Sequence, residues 1–341
     1  MKRMRKLRRH APVALALTLA SLSSSCSVFS RLFIKGPRTI LRGGKPANSK
    51  QTLLPATRDQ LSERIASLYN PINSFQASIA MTPSTGSVYK GQINEIVGVS
   101  ALILFRKPAD IRIQAQAPVF RTPVLDMVSN GTEFRLLLNS KNLFVEGLNS
   151  APATSKNKFE NLRPAAFLSS MLIMPPEAGV ETPVKTDLTD EDNALYALTF
   201  IARLPNGDLH ATREIWFDRL DLSIIRQMVF DDQDGIVSDT RYASWTPYPA
   251  GTSGAAGTSG ASGGSAGSGS VPPVPPVSFP AHIDIQRPID GYGVVMDIEE
   301  MQMNKALTDA QFVLTRPEGS QLQHIGASSE PDAKPEVKAP R

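Results

Sequence analysis

Cysteine is almost missing from this chain: there is one in 341 residues, Cys26. A single thiol excludes an intramolecular disulfide and any zinc site built on several cysteines. Histidine is nearly as scarce. Of four, His10 falls in a basic leader and His324 in a polar tail, which leaves His210 and His282 in strand-like segments. Neither has a recognisable nucleophile beside it. His282 alternates with Asp284 and Gln286 on the polar side of a strand. Glu299 and Glu300 are adjacent, so on a strand they point to opposite faces, the wrong geometry for shared acid–base work. The chain is therefore expected to be no enzyme and to carry no cofactor or metal. Asp231 to Gly235 has the composition of a calcium loop, yet the twelfth position counted from Asp231 is Tyr242 rather than a bidentate Glu. A hairpin turn is expected there instead.

Acid is absent from the first 55 residues. The formal charge of +4 follows from this, because residues 1–25 carry six Lys and Arg. Without them 30 basic residues face 32 acidic ones, so nucleic-acid binding loses its compositional support. Behind that basic segment, Ala11 to Leu22 is an apolar run of about a dozen residues, the length of a signal-peptide core and too short to cross a bilayer. Ser23-Ser24-Ser25 and then Cys26 follow. The arrangement resembles a bacterial lipoprotein signal, which implies that Cys26 is lipidated, by palmitate among other acyl chains, and becomes the new N-terminus. Ser27 stands where an Asp would signal inner-membrane retention, so by that resemblance the expected location is the outer membrane, facing the periplasm. Residues 26–55, with Arg31, Lys35, Arg38, Arg42, Lys45 and Lys50, are either a solvated tether or a segment lying on anionic headgroups, at about 1 kcal/mol per basic residue.

What the chain has in abundance is alternation. Between Gly98 and Gly147, Val99, Ala101, Ile103 and Phe105 lie on one face; Ile111, Ile113 and Ala115 continue the pattern, and Phe134, Leu136 and Leu138 restart it. Apolar residues at every second position mark half-buried strands. Asn130-Gly131, Asn206-Gly207 and Asp234-Gly235 read as hairpin turns. The first of these strands is apolar on both faces, which fits a sheet folded round a cavity or covered on both sides. Further strands are expected at Ser74–Met81, at 196–202 with Leu198 and Phe200 inward, at 214–217, 224–230 and 239–245, and at Phe279–Arg287 and Gly293–Met303.

Two helices are expected. Thr57 to Gln60 fits a capping box, and Leu61, Ile65 and Leu68 then share a face. Asn161 to Met174 is the second; its Phe167, Leu168, Met171 and Met174 are either core or a lid over a lipid pocket. The loop from Ala117 to Leu125 holds two prolines with Val119 and Phe120 between them. These two either fold back on the core or enter a membrane. Residues 249–278 are almost wholly Gly, Ser, Ala, Thr, Pro and Val, a flexible insertion between neighbouring strands.

The order of these parts, carried by Gly91–Pro108, Ile111–Phe120, Met127–Gly147 and Phe279–Pro317, resembles the bacterial outer-membrane lipoprotein carrier and receptor family, LolA/LolB-like. The resemblance implies an α+β, mainly β fold: an antiparallel half-open β-barrel with helices covering its concave face. That domain would run over 56–248 and close with 279–317, the tail 318–341 being disordered. The resemblance further implies an apolar cavity for acyl chains, with Ile103, Phe105, Ile113, Leu136, Leu198 and Phe200 as lining candidates and Val119 and Phe120 as a membrane-contact loop. The partners implied are acyl chains of lipoproteins or lipids, the membrane through the N-terminal anchor, and a periplasmic carrier protein. An envelope sensor or scaffold that binds a partner protein is the alternative on the same fold.

Overall fold

The structure, a computed structural model, describes residues 52–151, 162–251 and 275–326. Cys26, the tether up to residue 51, most of the Gly/Ser-rich run and the residues after 326 lie outside the described residues. The chain enters through α1 (Arg58–Tyr69), whose capping box forms as the sequence predicts. Gln60 N donates to Thr57 Oγ1 at 3.2 Å, and Thr57 N donates to Gln60 Oε1 at 2.8 Å. Two backbone donors that the helix cannot itself satisfy are thereby paired. Leu61, Ile65 and Leu68 are buried, and Lys107 Nζ closes the other end by donating to Tyr69 O.

The rest is one 15-stranded sheet, mainly antiparallel and open, built around β1 (Ser74–Ser87). From β1 the chain turns through the short β2 (Gln92–Glu95) and meanders outward as β3 (Val99–Arg106), β4 (Asp110–Gln116), β5 (Pro123–Ser129), β6 (Glu133–Leu138) and β7 (Leu143–Leu148). After α2 (Pro164–Met171) it restarts at the opposite edge with β8 (Thr182–Asp187). It returns through β9 (Leu195–Arg203), β10 (Leu209–Asp218), β11 (Ile224–Phe230), β12 (Ile236–Tyr248), β13 (Val277–Arg287) and β14 (Tyr292–Met303), which pairs with β1. The flanks of the Gly/Ser-rich run are thus direct neighbours, with Tyr248 opposite Val277, and β13 begins two residues before Phe279.

Period-two alternation builds one hydrophobic core from both halves of the sheet and both helices. Ile103, Phe105, Ile113, Leu136, Leu198 and Phe200 are all fully buried in it. The reverse face of β3 to β7 is covered by the segment after β14. Arg106 pairs with Asp309 at 2.7 Å and lies over the Phe312 ring; Arg112 Nη1 donates to Gln311 O at 2.9 Å. Leu314 then packs on Val128 and Phe144. Outward arginines on the strands, polar in the sequence pattern, serve as clamps for this strap.

The strap ends as β15 (Gln321–Ile325), parallel to β7. This corrects the expectation of disorder from residue 318. The segment is too polar to be read as a strand, but on an edge it needs only one partner and one half-covered face. Its approach depends on Gly147, where a Cβ would lie 2.0 Å from Ile325 O. Gly147→Val is expected to detach β15 while leaving the core intact. Amide exchange of residues 321–325 would rise to that of an unprotected segment; unchanged protection would refute this account.

Three other differences have simple causes. β8 escaped notice because Pro183 and Lys185 interrupt it, yet both suit an edge strand. The second helix stops at Met171, short of Met174: Leu172 and Ile173 are buried, Leu172 in an extended conformation, ahead of Pro175 and Pro176. At Asn130-Gly131 only the glycine takes a positive φ, and Asn130 Oδ1 instead accepts from the N–H groups of Thr132 and Glu133.

Candidate functional site

A cavity of about 150 Å³ lies between α2 and one end of the sheet. Its wall is apolar: Met81 and Pro83 of β1, Val99, Ala115, Val124, Leu125, Met127, Leu138 and Val294, roofed by Leu162 and Phe167. Ser84, Thr85, Ser140 and Lys141 add polar groups; Ile96, Val97, Tyr292 and Gly293 complete the lining, and Val97 is 78% exposed, which locates the mouth. Phe167 stacks on Tyr292 with ring centroids 6.4 Å apart and planes 21° from parallel.

The roof helix is tethered by its second half. Tyr242 OH donates to Ser170 O at 2.8 Å, Gln227 Nε2 to Ser169 O at 3.2 Å, and Ser170 Oγ lies 3.3 Å from Ser238 Oγ. Burial pushes the Tyr242 phenol far above its ordinary pKa, so it stays a neutral donor. Met171 faces a separate space of about 20 Å³ beside Leu68, Trp245 and Phe279. The first half of α2, with Phe167, is the part that covers the larger cavity.

The structure distributes the sequence-selected residues among several roles. Phe167 lines the cavity; Met171 is buried elsewhere, Leu168 is half-buried against the core, and Met174 is exposed. None of Ile103, Phe105, Ile113, Leu136, Leu198 and Phe200 lines this cavity; they are packed core. Val119 and Phe120 are 78% and 85% exposed, so Phe120 does not fold back on the core. Ser100 pairs with Gln116, which brings the loop after β4 beside the start of β3. Val119, Phe120 and Val97 therefore project at the same end of the sheet, next to the cavity mouth. Sequence reasoning passed over Val97 and Tyr292. Each sits in or beside a glycine-bounded turn, where alternation gives no signal.

Several titratable side chains outside this region form structural pairs, while His210 Nδ1 is buried without a hydrogen-bond partner among the described residues. Glu181 accepts from Arg213 at 2.7 and 3.1 Å and from Thr212 at 2.6 Å. Burial opposes its ionisation, but these bonds outweigh it and hold its carboxyl below the ordinary value. His282 Nδ1 lies 2.7 Å from Asp297 Oδ1 across β13 and β14. At Asp231 the turn forms in place of a calcium loop: its Oδ1 accepts from the N–H groups of Gln233 and Gly235. Among the described residues, no cluster of three His, Cys, Asp or Glu is arranged to hold a metal ion, and no helix is long and apolar enough to cross a membrane.

No protein-family model matches the sequence, and no curated protein matches it. Among solved structures it is similar to a LolA superfamily protein from Nitrosomonas europaea, at 11% identity over 76% of this chain and 99% of that one, with a TM-score of 0.44. A DUF1329 family protein from Desulfovibrio piger is similar at 12% identity over 75% and 95% of the two chains, with a TM-score of 0.45. So is a domain assigned to outer membrane lipoprotein sorting from Vibrio parahaemolyticus, at 9% identity over 75% and 97%, with a TM-score of 0.43.

Proposed function

We propose that this chain is a non-enzymatic envelope protein, lipid-anchored at Cys26, that takes acyl chains of lipoproteins or lipids into an apolar trough and takes part in their transfer to the outer membrane. The observation that carries the reading is the conjunction at one end of the sheet: an apolar cavity roofed by Phe167 and, beside its mouth, the exposed Val97, Val119 and Phe120. Apolar walls stabilise a bound chain by about 25 cal/mol per Å² of area taken from water. Exposed apolar residues beside the mouth give that chain a continuous route from bilayer to cavity. In this reading the sheet is a half-open barrel and the first half of α2 is its lid, hinged on the hydrogen-bonded second half.

At about 150 Å³ the cavity falls below the roughly 300–1,000 Å³ of sites for drug-sized ligands. It admits part of one chain as it stands, and a longer occupant requires the lid to lift. Filling the space tests this. Ala115 is buried on the cavity wall. Ala115→Phe is expected to reduce binding of a fluorescent fatty acid at least tenfold, at a stability cost of about 1–3 kcal/mol. Mass spectrometry of lipid extracted from the purified protein should find acyl species with the parent chain and little with the variant. Equal binding by both would end the reading, and a stable protein partner without acyl ligand would favour the scaffold alternative.

A further inference from the structure

Exposed apolar side chains at the cavity end of the sheet are not confined to the loop after β4. Turns favour Gly, Pro, Asn, Asp and Ser, so a large apolar residue left open at a strand connection calls for a reason. Three such residues stand on two further connections at this end. Tyr89 lies in the 3₁₀ turn Val88–Lys90 between β1 and β2, Ile93 lies on β2, and Ile289 lies in the turn from β13 to β14; they are 47%, 42% and 55% exposed. The register brings them together. Ile93 is opposite Gly86, and Gly86 N donates to Gly291 O at 3.0 Å, which ties the β1–β2 hairpin to the β13–β14 turn.

Both connections are held firmly, with their polar groups paired inside the protein. Tyr89 OH donates to the buried Asp239 carboxylate at 2.8 Å, so the polar end of the side chain is fixed while about half of its surface stays open. An aromatic side chain with one satisfied polar end is of the kind found at membrane interfaces. In the second turn Arg287 Nε donates to Asp290 Oδ2 at 2.5 Å and Gly291 N to Arg287 O at 2.8 Å, which leaves Ile289 as the exposed apolar residue.

Strand order sets the spacing. From the loop after β4 to the β13–β14 turn the sheet runs β5, β4, β3, β1, β14, β13. Five strand spacings of about 4.8 Å span roughly 24 Å of rim. Val97, at the cavity mouth, lies between the two groups on the link from β2 to β3. The apolar side chains are separated by exposed polar ones such as Gln92 and Asn94, and the exposed Glu95 and Arg121 beside them offset one another in charge. A protein partner needs a contiguous apolar patch, whereas lipid closes round each apolar tip separately. One loop in a bilayer also leaves the chain free to turn about that point; two groups this far apart do not.

We propose that the β1–β2 hairpin and the β13–β14 turn form a second bilayer contact, with Tyr89, Ile93 and Ile289 entering the headgroup region of a zwitterionic membrane, so that the cavity mouth is seated between two footings. The proposal rests on the membrane-contact part of the reading above and adds what that part lacks, a fixed orientation of the mouth.

Because the chain has a single cysteine, the contact can be mapped one position at a time. In the full chain carrying Cys26→Ser, an environment-sensitive fluorophore is attached through Ile289→Cys, Phe120→Cys or Leu188→Cys, and phosphatidylcholine vesicles are added. Leu188 is exposed but follows β8 at the opposite end of the sheet. Emission is expected to rise at least twofold for Ile289→Cys and Phe120→Cys and to stay unchanged for Leu188→Cys. Ile93→Ser combined with Ile289→Ser should lower partition into the same vesicles at least tenfold, with an unchanged melting temperature. Undiminished partition, or a response from Phe120→Cys with none from Ile289→Cys, would overturn the second footing and leave the loop contact standing. No response from either would remove both. An equal response from Leu188→Cys would mean unspecific adsorption, and a response from Ile289→Cys that grows with protein concentration in the absence of vesicles would assign the surface to a second copy of the chain; each of these overturns the proposal.

Discussion

Replacing Asp239 with alanine is expected to cost about 3–5 kcal/mol of folding stability, the penalty for stripping one partner from a buried ionic cluster. Asp239 is fully buried on β12. Its Oδ1 accepts from Arg226 Nε at 2.7 Å, and its Oδ2 accepts from Arg226 Nη2 at 2.9 Å, Arg241 Nη2 at 3.1 Å and Tyr89 OH at 2.8 Å. The Arg226 contact is bidentate, the stronger form of such a pair. Arg226 and Arg241 are register partners directly across β11 and β12. Without the carboxylate between them, two mostly buried like charges would face each other, an arrangement that destabilises a strand pair on its own account. At about 2–4 °C per kcal/mol for a domain of this size, the melting temperature should drop by roughly 6–20 °C. Denaturant titration measures the loss directly. A change below about 1 kcal/mol would mean that water reaches the cluster. Tyr89→Phe, which removes one hydrogen bond to the same carboxylate, should cost less, about 1.5–3 kcal/mol.

The second large effect concerns the membrane and leaves the fold alone. Val119→Asp combined with Phe120→Asp is expected to lower partition of the chain into phospholipid vesicles by at least 100-fold. Burying a Val or Phe side chain is worth about 1.5–3 kcal/mol, so two give about 3–6 kcal/mol, or roughly two to four orders of magnitude. Both residues are exposed in the free protein, and folding stability should therefore change by no more than about 0.5 kcal/mol. Flotation of chains with Cys26 replaced by Ser separates this contact from the acyl anchor. Undiminished flotation would remove the loop from the delivery step. The two experiments divide cleanly, since Asp239 acts on the folded state and the loop acts only at the bilayer.

The strand pattern was legible wherever one face meets the core and the other meets water. Val99 to Phe105, Ile111 to Ala115 and Phe134 to Leu138 alternate because a pleated strand turns successive side chains to opposite faces, and they pair in that register. The capping box at Thr57 was equally local, since all its atoms lie within four residues. The exposed pair in the loop after β4 was visible as apolar residues between prolines, although their exposure was not. Strand periodicity does not by itself select the wall of this cavity. Ile103 and Ala115 both point inward, but only Ala115 lines the cavity. Whether an inward side chain touches a neighbour or a void depends on which distant element covers it.

By itself the sequence determined what repeats or acts locally: a mainly β chain, helix entry, turns, a basic N-terminal segment ahead of a single cysteine, and a Gly/Ser-rich run. Tertiary structure alone decided which surfaces meet. It brought Tyr89 to Asp239 across 150 residues, laid the segment after β14 along the back of β3 to β7, and stacked Phe167 on Tyr292 at the wall of the cavity. Those contacts are set by the sheet order, in which β1 joins the first strand of one meander to the last strand of another. No short window of the chain contains that information, because register partners such as Phe75 and Met303 on β1 and β14 lie far apart in the sequence.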